Sequence, residues 1–336
     1  MLLTATTLRD SLANVERFVA NNLAMGVDHL VVVLDAPGEP GQAEVADFLG
    51  RHPHATCVLA DDSWWRGRRP AGLNVRQRIN VNAILSVLRG AEWATWLCHI
   101  DGDEVAVVDR ERLDALPDST DAIWLPPLEA VSRYDATELP TAFKSLLDDA
   151  QLEDLHRRGV IKRPRNQHYF HGHVLGKSGV RPNSGLGLTL HEAVHEDGTK
   201  ATRHEDGRFR VLHYDAPSGR EFVRKWSAMA TGGPASFRPN RQRTADQLRE
   251  LVAADLVEAE KVRRFEEIYR ESTEDDVETL EQLGLLTHLD PSKGTHRPQQ
   301  LDPAQSGWLD EQLGRLRAVS KRRFEVSRGR RAGGRG

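Results

Sequence analysis

Cysteine is nearly absent: Cys57 and Cys98 are the only two in 336 residues. They lack the CxxC spacing of a zinc or redox site, and one pair would be a thin staple for so long a chain. A reducing, cytoplasmic setting is therefore expected. Long apolar runs are also missing. No stretch approaches the roughly 20 apolar residues of a membrane-spanning helix, and Met1–Thr7 has neither the basic start nor the apolar core of a secretory leader. Nor is there a surplus of one charge. The 46 Lys and Arg face 50 Asp and Glu, a formal net charge of −4, so no global field draws the chain to nucleic acid or membrane. No internal repeat is seen. What remains is 39% hydrophobic and 29% charged, a folding chain with room for one large domain or a main domain and a helical appendage.

The first half alternates strand and helix patterns. Leu2 to Thr6 is β-prone. Asp10 or Ser11 can cap a helix whose apolar residues Leu12, Val15, Phe18, Val19 and Leu23 recur at helical spacing, with Gly26 at its end. His29 to Leu34 is a continuous apolar run of the buried parallel kind. A helix over Glu44–Leu49, a strand over Ala55–Ala60, a helix over Gln77–Leu88 and a strand over Trp93–Ile100 follow. This alternation predicts an α/β fold with a mostly parallel sheet covered by helices on both faces. Ligands of such sheets lie beyond the carboxyl ends of the strands, which gathers Asp35, Asp61, Asp62 and Asp101–Glu104 along one edge. Another strand is expected at Ala122–Leu125, a helix from about Ala142 to Arg158, charged helices over Thr244–Tyr269 and Asp275–Leu286, and a last helix from Trp308 to about Phe324. The implied division is a main domain over 1–238, a helical C-terminal extension over 239–326 and a disordered basic tail over 327–336. The extension reads as a packing appendage or a homo-oligomer contact.

The strand ending at Ile100 runs into Asp101-Gly102-Asp103-Glu104. Carboxylates at a strand end can hold a hard divalent cation, Mg²⁺ or Mn²⁺, that also grips phosphate oxygens. Gly102 would let the backbone turn sharply so that both aspartates serve one site. A metal there would stabilise the charge on a departing diphosphate. An exposed acidic turn is the plainer alternative, and the apolar strand in front of it favours the site.

These segments resemble family-2-like and family-92-like glycosyltransferases. Trp93 to Glu104 is similar to their W-x-x-x-x-D-x-D-E-F segment. Leu8-Arg9-Asp10 stands where they carry K-N-E or R-N-E, and Asn22 to His29 resembles H-x-x-x-G-V-D-H. Arg78 and Asn82 match an R-x-x-x-N helix, Gly176 to Pro182 a G-K-S-x-V-R-P strand, and Leu212-His213-Tyr214 with Ser218, Phe222 and Lys225 an H-Y-x-x-x-S-x-x-x-F-x-x-K element. The likeness runs from about Leu2 to Trp226. Val105 departs from it where an aromatic or leucine is usual, and Asp10 replaces Glu. The resemblance implies a GT-A fold, a nucleoside-diphosphate sugar donor (a UDP-sugar foremost), a carbohydrate or other hydroxyl acceptor, Mn²⁺ or Mg²⁺, and inversion at the anomeric carbon. It implies metal contacts from Asp101, Asp103 and His213. Diphosphate and nucleoside contacts would come from Thr6, Arg9, Asp35, Arg78, Asn82, Asp101, Lys177 and Arg181. Inversion also needs a carboxylate to take the acceptor proton, and Glu192 and Asp215 are the candidates.

Other motifs compete. His191-Glu192-Ala193-Val194-His195 spells H-E-x-x-H, the signature of a zinc metalloprotease using His191, Glu192 and His195. That chemistry needs a helix, whereas Gly185, Gly187 and Gly198 favour a strand or turn. In His168 to His173, alternation would place His171 and His173 on one strand face. Trp64 to Arg69 mixes aromatics with cations and suggests a mobile loop over the donor. Lys321 to Gly336 holds seven basic residues against Glu325, either a solubilising tail or a weak anchor to anionic lipid or another polyanion. A non-catalytic nucleotide- or polyanion-binding module is the remaining reading, with nucleic acid disfavoured by the acidic edge.

Overall fold

The computed structural model describes residues 1–231 and 239–326. The expected tail over 327–336 lies outside the described residues. The chain forms two compact units. Unit 1 comprises Met1–Pro126, Leu175–Val211 and the chain from Asp290 onward; unit 2 comprises Pro127–Val174 and Leu212–Leu289.

Unit 1 begins β1 (Leu2–Leu8), α1 (Leu12–Ala24), β2 (His29–Asp35), α2 (Gln42–Arg51), β3 (Ala55–Ala60), α3 (Asp62–Trp65), α4 (Leu73–Leu88), β4 (Trp96–His99), β5 (Glu104–Val108), α5 (Arg110–Asp114) and β6 (Ala122–Leu125). Its main sheet has seven strands in the order His204–Glu205, β6, Lys177–Val180, β4, β1, β2, β3. β4, β1, β2 and β3 are mutually parallel. Lys177–Val180 runs antiparallel to β4 and β6. The sheet is thus mostly parallel and flanked by helices, as expected. The apolar runs follow from burial on both faces. Leu3, Ala5, Val31 and Val33 pack on one side with Ile79, Ile84 and Leu88 of α4. Leu2, Leu30, Val32 and Leu34 pack on the other with Val15, Phe18 and Val19 of α1 and Val45 and Leu49 of α2.

Local chemistry sets the element ends. The Ser11 side chain accepts the Asn14 amide and caps α1, as expected. Gly26 follows that helix at φ 124°, where a Cβ would stand 2.3 Å from the Val108 carbonyl oxygen, so only glycine fits. Next to it Asp28 is a buried hub. Its carboxylate accepts the Leu2 amide at 2.8 Å, the Gln299 amide at 3.0 Å and His296 Nε2 at 3.0 Å, and it pairs with Arg110. Burial works against its ionisation, but these donors outweigh it and hold the carboxyl well below the usual range.

Unit 2 contains the antiparallel strands Pro127–Ala130, Ala142–Ser145 and Leu286–His288. One core gathers Phe222, Trp226, Leu248, Phe265 and Tyr269, and a second gathers Leu152, Leu155, Phe170 and Leu280.

Several elements differ from expectation. The helix expected from Ala142 begins at Asp149, because 142–145 is taken up as a strand and Asp148 with Gln151 forms a capping box. The span expected as one helix over Thr244–Tyr269 is two, Pro239–Ala253 and Glu258–Ser272, whose Leu248 and Phe265 share one core. Among the described residues the last α-helix is Pro303–Leu316, set by an Asp302–Gln305 capping box. Of the expected boundary between residues 238 and 239, residue 238 lies outside the described residues. Leu301, Leu309, Leu313 and Leu316 are buried in one cluster with Ile84 and Leu88 of α4, and the helix that carries the last three belongs to unit 1. Among the described residues no helix is long and apolar enough to cross a membrane.

Candidate active site at the carboxyl edge of the sheet

The chain steps outward from β1 to β2 to β3 and then returns to place β4 on the other side of β1. Such a reversal opens a crevice at the carboxyl ends of the two strands that flank it. Asp101 lies two residues past the end of β4. Gly102 touches the end of β1: a Cβ on it would stand 3.0 Å from Leu8 Cβ. Its φ is not left-handed, so glycine gives room against β1 here and not the sharp turn expected of it.

Behind the turn lies a fully buried ammonium. Lys177 Nζ is 2.6 Å from Asp101 Oδ2 and 3.2 Å from Glu104 Oε2. Gln77 Nε2 donates to Asp101 Oδ1 at 2.6 Å, and the Asp101 amide donates to Glu104 Oε2 at 2.7 Å. Burial works against the charge on Lys177, but Asp101 and Glu104 outweigh it and raise its pKa. Burial likewise opposes ionisation of Asp101, and Lys177 reverses that. Asn22 pins the start of β5, donating to the Glu104 carbonyl at 3.1 Å and accepting the Ala106 amide at 2.9 Å.

This donor set fits a divalent cation. Each Asp101 oxygen accepts one hydrogen bond and retains acceptor capacity, and its side chain is 27% exposed. Asp103 is half-buried on the same turn. Asp101, Asp103 and Glu104 bring three carboxylates to one turn, the oxygen ligands that a hard divalent ion prefers.

The other expected residues of unit 1 lie as follows. Thr6 is buried on β1, and its hydroxyl has no protein partner. Asp35, at the end of β2, is clamped by Arg76 at 2.6 Å and Arg69 at 2.9 Å. Arg9 pairs with Glu39 at 2.6 Å on the surface. Arg78 lies 3.9 Å from Glu325. Asn82 exchanges hydrogen bonds with the backbone of Leu188, tying α4 to the hairpin of Gly187–Leu188 and Ala193–Val194. Arg181 donates to the Thr120 carbonyl at 2.9 Å and lies over the Trp96 ring. Glu192 is buried and paired with Lys200 at 2.7 Å and Arg203 at 3.1 Å.

His213 and Asp215 belong to unit 2. The His213 ring stacks on His173 with centroids 4.7 Å apart, and Asp215 pairs with Lys225 at 2.7 Å. Unit 2 also holds a second buried lysine. Lys144 Nζ lies 2.9 Å from Glu129 and 2.8 Å from Asp275, and His171 Nε2 meets the same Asp275 oxygen at 3.0 Å. Burial pushes the Asp275 carboxyl up, yet Lys144 and His171 hold it at about 2.

Two motif readings change, and a third holds, since the H-E-x-x-H segment is a strand and turn as expected. The H-E-x-x-H segment is not helical, and its Ala193 and Val194 form a strand; the one-turn spacing a zinc protease needs is missing. His171 and His173 do not share a strand face. The chain makes a short helix over Asn166–Tyr169 and then runs outside any strand, with His171 on Asp275 and His173 on His213. Trp64 and Trp65 are no mobile loop either. Both are buried in the unit 1 core, and Trp64 Nε1 donates to Asn80 at 3.0 Å.

Sequence reading missed Gln77, Arg76 and Arg69. The first two lie one and two residues before Arg78 on the same helix, and Arg69 sits in the basic run at 66–69. It also missed Lys144, Glu129 and Asp275, where nothing in the sequence links positions so far apart.

No protein-family model matches the chain, and no curated protein matches it. Solved structures similar to it include three of low identity. One is S. aureus TarS 1–349, at 8% identity over 97% of this chain and 92% of that one, TM-score 0.31. Another is the bifunctional glycosyltransferase WbbM, apo, at 13% over 55% and 32%, TM-score 0.28. The third is mouse xyloside xylosyltransferase 1, apo, at 11% over 55% and 67%, TM-score 0.25.

Proposed function

We propose that the chain is a metal-dependent glycosyltransferase of GT-A type, moving a sugar from a nucleoside-diphosphate donor, foremost a UDP-sugar, to an acceptor hydroxyl with inversion. The supporting observation is the turn Asp101-Gly102-Asp103. It follows the carboxyl end of β4, rests on the end of β1 where the strand order reverses, and is backed by Lys177 and Glu104. Asp103 and Asp101 would hold the cation, and when bound it would offset the charge of the departing diphosphate. Lys177 and Gln77 fix the Asp101 carboxylate so that it need not reorganise as charge moves. Asp35, clamped by Arg69 and Arg76 at the end of β2, would face the nucleoside.

For the acceptor proton we keep Glu192 and Asp215 as the two proposed bases. Gln and Asn replacements separate them, since loss of a general base lowers kcat about 10²–10⁴-fold. Cys57 and Cys98 are unpaired thiols, in keeping with a cytoplasmic setting.

The decisive measurement is thermal stabilisation by UDP with Mn²⁺. At ligand about 100-fold above Kd the wild type gains about 2.7 kcal/mol, and Asp103→Ala loses this gain while melting normally without ligand. Equal stabilisation of wild type and variant refutes the proposal.

A further inference from the structure

A second feature of unit 1 takes no part in that site. Behind α3 lies a cavity of about 180 Å³, lined by Trp65, Arg66, Arg68, Pro70, Ile79, Ser320, Lys321 and Arg322. Four of these residues are cationic and none is acidic. Among the described residues, Arg66, Arg68, Lys321 and Arg322 form no ion pair. Asp61, which caps α3, is held by Arg317 at 3.1 Å.

The cavity is built and not a loose surface patch. Arg66 sits at φ 52°, in the left-handed region that costs a non-glycine residue free energy, and its guanidinium donates to the Ala318 carbonyl at 2.9 Å. That bond joins the turn after α3 to the turn after the last helix. Lys321, 4% exposed, bonds the carbonyls of Leu316 and Val319 and lies 4.2 Å over the Trp64 ring. Burial first, then Arg317 and Arg66, pulls its pKa down to about 8. A buried cation with no counter-charge is costly. Trp65 supplies another open valence: its indole N–H is buried and has no hydrogen-bond partner.

We propose that this cavity is a binding site for a phosphoryl group, with Arg68 and Arg322 gripping its oxygens from the rim and Lys321 supplying charge from below. Guanidinium forks match phosphate oxygens two at a time, and the cluster of cations favours a multiply charged anion over a single carboxylate. Lys321 and Arg322 of the basic C-terminal segment thereby gain a role as a wall of the site.

The test uses the full chain without divalent cation, titrated calorimetrically with inorganic phosphate and with pyrophosphate at constant ionic strength. The expected result is one saturable site whose Kd rises at least tenfold in Arg68→Ala and in Arg322→Ala, both exposed side chains whose loss leaves folding intact. The Trp65 indole N–H resonance, assigned by its disappearance in Trp65→Phe, shifts on binding. Asp103→Asn leaves this binding unchanged, which separates the outcome from that of the transferase proposal. A parallel sedimentation with phosphatidic acid vesicles distinguishes the source. Arg68-dependent binding of free pyrophosphate alone points to a small phosphorylated molecule, and Arg68-dependent co-sedimentation points to a lipid headgroup. Absence of saturable binding, or binding that both arginine variants retain, overturns the proposal.

Discussion

Each unit buries one lysine between two carboxylates, and the two clusters differ in a single respect. Around Lys144 the partners Glu129 and Asp275 are themselves buried, at 1% and 8% exposure. Around Lys177, Glu104 is buried but Asp101 is 27% exposed. The first cluster is the more closed: its carboxylates meet Lys144, and His171 shares Asp275 with it beside a cavity of about 510 Å³. The second has one open side, and the open group sits on the turn where the strand order reverses. Buried ion pairs are common enough as structural devices. What marks one as a place for chemistry is a carboxylate held rigidly from behind and left accessible in front.

The sharpest way to break this contrast is to remove each ammonium. Lys144→Met leaves two carboxylates buried without compensation and should cost about 3–5 kcal/mol in urea unfolding. Lys177→Met should cost less, because Asp101 can turn toward water. An equal loss in the two variants would erase the distinction between open and closed clusters. Next in size is Gly172→Ala beside the closed cluster. A Cβ there would stand 2.2 Å from the His213 ring and 2.9 Å from Glu129 Oε1, so a destabilisation of about 1–3 kcal/mol is expected. Stability unchanged from wild type would show that the closed cluster tolerates what the geometry forbids. The smallest effect per step is titrational and belongs to unit 1. Burial, with His54 and His52 nearby, lowers the His29 pKa to about 4 from an unfolded value near 6.5. Its neutral form therefore contributes stability that is complete above pH 6.5 and declines as pH falls toward 4, by at most about 1.4 kcal/mol per pH unit. Melting curves of wild type and His29→Gln across pH 4–7 should show a shallower slope in the variant; parallel slopes would rule the effect out.

The parallel half-sheet was legible because both of its faces are buried, which writes continuous apolar runs at β2 and β4. The acidic turn was legible because a strand end and carboxylates are adjacent in sequence. Lys177 could be tied to it only through a resemblance, and Gln77 was passed over although it begins the helix read from Gln77 to Leu88. Unit 2 was read least well. Its strand Ala142–Ser145 is short, its cluster joins Glu129, Lys144 and Asp275 from distant segments, and its histidines sit where no period applies. The tryptophans at 64 and 65 misled because a basic flank suggested solvent, while the rings themselves turn inward.

Asp28 carries a consequence for how the molecule is made. It binds Leu2 near one end of the sequence and His296 and Gln299 near the other, and all of unit 2 is encoded between them. On a ribosome delivering the chain from its N-terminus, β1, α1 and β2 emerge early but wait for residues near 300 before this hub can close. A large separation between partners slows folding. Truncation shortly after Leu289 would then strand a buried aspartate without two of its donors, and such a fragment should be insoluble even though every strand of the half-sheet is present.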